Sequence, residues 1–158
     1  MKALPTVLNL TVPQGTNYPV RLRWQNCAYA TRVVDGVIVN ATTGAPVPAG
    51  DLIAEDLSGC VIRGAMRKKH TDPIPQIGFT AAGNNVFFDP ATQIFGIDFL
   101  PSDTSPLKAT DREYEVSDDG RVILRASDYF YDVEVVTASG DVTRAVHGVV
   151  TLVAEVAK

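Results

Sequence analysis

The sequence predicts an all-β, antiparallel fold, and three features carry that prediction. The first is a two-residue period near the end of the chain. From Tyr129 to Val135 the odd positions are apolar or aromatic, while Asp132 and Glu134 point the other way, which is the pattern of a half-buried strand. Ala138-Ser139-Gly140 follows, and Gly140 is free to take positive φ, so the chain can reverse into a second strand running from Val142 to Val156. The second feature is punctuation: ten prolines and twelve glycines divide the chain into short segments. The third is the lack of any long stretch of Leu, Ala, Glu and Lys at helical spacing, with only two methionines.

The elements follow in order. Leu8-Asn9-Leu10-Thr11-Val12 alternates, stops at Pro13, and turns at Gln14-Gly15. Val20-Arg21-Leu22-Arg23-Trp24 alternates again, so the two segments read as adjacent strands. Val20, Leu22 and Trp24 share a face, with the indole expected at the centre of the core. Ala28 to Val34 continues or begins a strand. Residues 35–56 change character, because Asp35-Gly36, Thr43-Gly44, Pro46, Pro48 and Gly50 surround the short apolar piece Val37-Ile38-Val39. That is an excursion with one short strand. After Asp56-Leu57-Ser58-Gly59, the positions Cys60, Ile62, Gly64 and Met66 face one way and Arg63, Ala65 and Arg67 the other, which makes a core strand.

Lys68 to Asn85 reads as loop, with Pro73, Pro75 and Gly83 in it. Val86 to Asp89 and Ile94 to Leu100 pair around Asp89-Pro90-Ala91-Thr92, and Pro101 ends the second. Ser102 to Asp111 is polar, with room for a single helical turn. Glu113 to Val116 and Arg121 to Leu124 form a small hairpin around Ser117-Asp118-Asp119-Gly120. With about eight to ten strands and no long helix, the expected architecture is an antiparallel, immunoglobulin-like β-sandwich with loop and hairpin insertions. It occupies residues 1–158 as a single domain, with insertions at about 35–55 and 102–125.

Apolar residues make up 46% of the chain and charged residues 20%, enough for a core and too little charge for global disorder. A net charge of −4 argues against nucleic acid as a partner. The one basic cluster, Arg63 with Arg67-Lys68-Lys69-His70, reads as a solvated strand end running into a loop. No apolar run is long enough for a membrane-spanning helix. Pro5, Asn9 and Pro13 break up the N-terminal region, so no Sec-type signal is expected and the chain is expected to be made in a cytoplasm. Cys27 and Cys60 match no metal spacing. A reducing compartment favours free thiols, while their sequence positions leave a cross-strand disulfide open.

Catalytic signals are weak. His70 and His147 are the only imidazoles, and no P-loop, HExxH, nucleophile elbow or Rossmann glycine pattern occurs. The carboxylate pairs Glu113/Glu115 and Asp132/Glu134 are i,i+2 positions on strand faces, and Asp118-Asp119 is a turn. We therefore expect no catalytic residues, no metal and no cofactor.

Three blocks resemble a known family. Leu8 to Gly15 followed by Val20 to Trp24 resembles the opening of a family of small tailed-bacteriophage virion proteins. Asp56-Leu57-Ser58-Gly59 with the strand to Arg67 resembles the family's next block. Tyr129 to Val135 with Val142 to Val150 resembles its closing hairpin. The family is similar to the immunoglobulin-like N-terminal domain of phage baseplate upper proteins, which anchors host-recognition parts to a tail.

The resemblance implies a non-enzymatic structural protein of a tailed phage particle, an adaptor or fibre-attachment module in the tail, neck or baseplate. Its expected partners are other virion proteins, in multiple symmetric copies, with neither nucleic acid nor membrane, and its expected location is the virion after synthesis in the host cytoplasm. The rival expectations are a capsid decoration protein and a carbohydrate-binding module, the latter using Tyr18, Tyr29, Phe87, Phe88 or Tyr114. Partner contacts are expected at the insertion, through Val37, Ile38, Val39 and Ile53, and at the first and last strands as sheet edges, through Leu8, Leu10, Val150 and Leu152.

Overall fold

A computed structural model describes residues 6–115 and 123–155. Its fold is predominantly antiparallel β-strand with almost no helix. The strands, in chain order, are β1 (Thr6–Val7), β2 (Leu10–Pro13), β3 (Tyr18–Arg23), β4 (Gln25–Asn26), β5 (Thr31–Val34), β6 (Val37–Asn40), β7 (Ile53–Ala54) and β8 (Val61–Arg67). They continue as β9 (Ile77–Phe79), β10 (Val86–Asp89), β11 (Ile94–Phe99), β12 (Arg112–Glu115), β13 (Ile123–Val136) and β14 (Val142–Val153). One helical turn, α1 (Pro101–Thr104), starts at Pro101 and overlaps the beginning of the polar stretch where a turn was expected. The strand count exceeds the expected one because two-residue pairings such as β1, β4 and β7 are too short to show a period.

A seven-stranded sheet is ordered β1-β14-β13-β8-β9, with β2 also pairing β14 and β12 pairing β13. Its spine is the terminal hairpin. Tyr129, Tyr131, Val133 and Val135 are buried on one face of β13, and Phe130, Asp132 and Glu134 lie half-buried on the other. Gly140 takes φ 91° in the connecting turn, and Thr137 N donates to the Asp141 carbonyl at 2.9 Å. A bulge between Val133 and Glu134 shifts the β13–β14 register. A three-stranded sheet is ordered β10-β11-β3. Phe95, Ile97 and Phe99 of β11 and Val20 of β3 belong to the same apolar cluster as Met66, Phe79, Tyr131, Val133 and Val150 of the larger sheet. Phe79 and Phe99 meet edge to face across the two sheets, 5.1 Å between ring centroids.

Several expectations are corrected here. The segments Leu8–Val12 and Val20–Trp24 are not adjacent strands: β2 pairs in parallel with β14, and β3 pairs with β11 in the other sheet. Gln14-Gly15 is thus a corner between sheets. Gln14 Nε2 donates to the Leu107 carbonyl at 2.7 Å, Gly15 N donates to Thr104 Oγ1 at 2.9 Å, and Gly15 sits at φ 74°. Trp24 keeps the expected face but is half-buried where the chain leaves β3, and Phe79, Phe95 and Phe99 fill the centre instead. Lys68–Asn85 is not all loop: Ile77 and Phe79 are buried on β9, a strand too short to be recognised between Pro75 and the Gly83-Asn84-Asn85 segment. The small hairpin expected between Glu113–Val116 and Arg121–Leu124 is not separate from the terminal one: Ile123 and Leu124 open the continuous strand β13 and pair there with Glu115 and Tyr114 of β12, while residues 116–122, with the Ser117-Asp118-Asp119-Gly120 turn, lie outside the described residues. Cys27 and Cys60 are free thiols, each half-buried.

The segment between α1 and β12 is tied down by charge. Asp111 takes ammonium contacts from Lys108 and Lys68, and these, with the Ser127 hydroxyl, hold its carboxyl well below the usual carboxylate range. A depressed carboxyl stabilises the fold above its unfolded pKa, about 3.9, and that contribution disappears as pH falls through the lower native value. Thermal melts should therefore show a steeper loss of stability between about pH 4 and pH 2 for the parent than for Asp111→Asn. Equal slopes would mean that Asp111 is not held in this way.

Candidate functional site

Residues 25–54 form an arm. Its base is the β4–β7 pair, and Glu55 N donates to the Trp24 carbonyl at 2.7 Å, so the chain leaves and re-enters the body at one point. Tyr29 OH donates to Asp51 Oδ2 at 2.6 Å across the middle, and this hydrogen bond to the carboxylate pushes the phenol above its usual range. The outer part is the β5–β6 hairpin, with the expected short strand as one half and the Asp35-Gly36 turn at its end. The arm is longer than the expected insertion at 35–55, because Gln25 to Val34 belong to it.

Two-stranded ribbons are marginal in water without an apolar face to bury, yet this one leaves apolar side chains in solvent. Val33 is 69% exposed, and Val34, Val37 and Ile38 are exposed beside it. Ile53 on β7 is 67% exposed. Ile38 also lines a cleft of about 320 Å³ with Leu22, Trp24, Phe95 and Val146, so the hairpin lies against the body on one side.

The eight residues expected at partner surfaces divide sharply. Val37, Ile38 and Ile53 are exposed on the arm. Val39 is buried, bridged to Pro46. Leu10, Val150 and Leu152 are core residues, the last two fully buried, and Leu8 packs partly against that core. The last strand is not an edge where β13 flanks one side of β14 and β1 and β2 flank the other. Parallel pairing of β2 onto β14 (Val150↔Leu10, Leu152↔Val12) covers the side expected to be free. The outer strands of this sheet among the described residues are β1 and β2 at one side and β9 and β12 at the other.

The aromatics weighed for sugar binding are mostly engaged within the fold. Tyr18 packs on Phe99, Phe88 packs against the core, the Arg21 guanidinium sits 4.1 Å from the Phe87 ring centroid, and Arg112 lies near Tyr114. The basic cluster is not simply solvated. Lys68 contacts Asp111 and lies 4.7 Å from the Tyr129 ring centroid, Arg67 Nε donates to the Asp72 carbonyl at 3.0 Å, and His70 stacks on Phe130 at 4.0 Å.

A groove of about 600 Å³ runs over the outward face of the seven-stranded sheet. Its floor is Gly64, Ala65 and Gly78, where Ala65 stands opposite both Gly78 on β9 and Asp132 on β13. Arg63, Arg67, Arg144, Asp132, Glu134 and His147 surround it. Arg63 Nε bonds Glu134 Oε2 at 2.9 Å, and Arg144 pairs with Asp132 at 3.4 Å. The sequence carried a signal for it: charges at alternate outward positions of β8, β13 and β14, facing small residues. Only the registers Glu134↔Arg63 and Glu134↔Arg144 bring them to one place.

Among the described residues, no helix is long and apolar enough to cross a membrane, and no three metal-ligating side chains cluster. No protein-family model matches the chain, and no curated protein matches its sequence.

Proposed function

We propose that this chain is a non-enzymatic structural protein of a tailed phage particle, an adaptor or fibre-attachment module of the tail, neck or baseplate. Its body is then a single immunoglobulin-like sandwich acting as a rigid spacer, and its arm is the attachment element. The arm is the observation that carries this reading. It presents Val33, Val37 and Ile53 to solvent on a ribbon tied at its base to a well-packed body. Burying such side chains against a neighbour yields about 25 cal/mol per Å² before ordering costs. An arm already folded on its own ladder loses little entropy on docking. The family resemblance of the three sequence blocks names the assembly, and symmetric copies on a particle multiply modest single contacts through avidity.

Immunogold electron microscopy of purified particles, with an antibody against this chain, tests the reading. Label confined to the tail, neck or baseplate is the expected result. Label spread over the shell would make the chain a capsid decoration protein, and unlabelled particles would remove it from the virion.

A further inference from the structure

The groove on the outward sheet face has no part in attachment through the arm, and its chemistry differs from that of the arm. It is kept open by sequence: a side chain added at Gly78 would meet nothing within 4 Å, and Ala65 beside it contributes only a methyl group. Around this floor stand three guanidinium groups and two carboxylates, a local positive excess on a chain of net charge −4. Arg63 and Arg67 each use Nε within the protein, for Glu134 and the Asp72 carbonyl, and their terminal amino groups make no hydrogen bond among the described residues. His147 Nδ1 is shut off from solvent without a hydrogen-bond partner. Such an orphaned polar atom is costly and needs a reason. Phe130, backed by His70, adds an aromatic surface at one end.

We propose that this groove binds an acidic saccharide, a sugar bearing a carboxylate or phosphate. Free guanidinium forks match either anion in a bidentate way. Asp132 and Glu134 supply the acceptors that sugar hydroxyls require and that a purely anion-binding patch would lack. The stacked pair of Phe130 and His70 at one end offers aromatic surface to the apolar side of a pyranose. A protein partner would call for an apolar anchor at the centre of the surface, and the centre here is Gly64, Ala65 and Gly78. The site is independent of the adaptor reading, since it would serve a sugar-binding protein in any setting.

The test is a titration of the full chain, ¹⁵N-labelled, followed by amide shifts, with trigalacturonate, mannose 6-phosphate and neutral maltotriose as probes. Saturable shifts centred on Ala65, Gly78, Asp132 and His147 are expected with at least one acidic probe, and which one responds identifies the anion. Gly78→Phe, which fills the floor, should weaken that binding at least about tenfold with an unchanged melting temperature. Arg144→Gln, an exposed change, provides the same comparison if Gly78→Phe does not fold, and should weaken binding by about threefold or more. Absence of saturation with both acidic probes would overturn the proposal. So would equal binding of maltotriose, or undiminished binding by the folded variant.

Discussion

Phe99→Ala is expected to lower the unfolding free energy by about 3–5 kcal/mol. Phe99 is fully buried at the end of β11, where it meets Phe79 of the larger sheet edge to face and Tyr18 at 6.4 Å. Truncation removes apolar contact from both sheets at once, and the walls are strands whose backbones are fixed by their ladders, so the cavity cannot readily collapse. Because domains of this size are stable by only about 5–15 kcal/mol, the change would consume much of the total. Urea unfolding should show a lower midpoint with an unchanged slope. Ile53→Ala, on the exposed arm, should stay within about 0.5 kcal/mol of the parent. A loss below about 1 kcal/mol for Phe99→Ala would mean that the two sheets do not share a packed core.

The double variant Val33→Asp with Ile53→Asp is expected to keep the parent's melting temperature within about 2 °C and to reduce incorporation into particles about tenfold or more. Both side chains are largely in solvent, so their replacement removes little from the fold. In an assembled interface each would place a carboxylate in an apolar contact, where an unpaired charge is strongly disfavoured. Ile74→Asp is the control, because Ile74 is equally exposed but lies outside the arm. Particles grown without the parent chain and supplied with each variant can be compared by quantitative immunoblotting. Normal incorporation of the double variant would remove the arm from the attachment role, while loss with Ile74→Asp as well would point to a general effect of surface charge.

The strands visible in the sequence were those long enough to show a period against one buried face. Tyr129–Val135 and Val61–Arg67 lie where alternation places them, and the Val86–Phe99 hairpin lies where the Asp89-Pro90-Ala91-Thr92 turn and Pro101 place it. β9 and the two-residue strands were not visible, since three residues or fewer carry no periodic signal. The expectation of a free edge at the last strand failed at Val150 and Leu152 for a related reason, whereas Leu10 lies on β2, an outer strand, with its side chain turned into the core. Alternation reveals that one face of a strand is apolar, but it does not reveal whether another strand lies alongside. Trp24 shows the same limit: its face was readable, but its depth depended on where β3 ends and the arm begins.

By itself, the sequence determined the all-β class, the terminal hairpin with its Gly140 reversal, and the inward and outward faces of the long strands. These are local properties, set by side-chain period and by backbone freedom at single residues. Tertiary structure decided which strands are neighbours, so that β2 closes over β14 while β3 crosses to the other sheet. It also decided that charges from β8, β13 and β14 gather over Gly64, Ala65 and Gly78. Those outcomes depend on pairings between residues far apart in the chain, chosen by how all the apolar faces are buried together, and no local pattern encodes that choice.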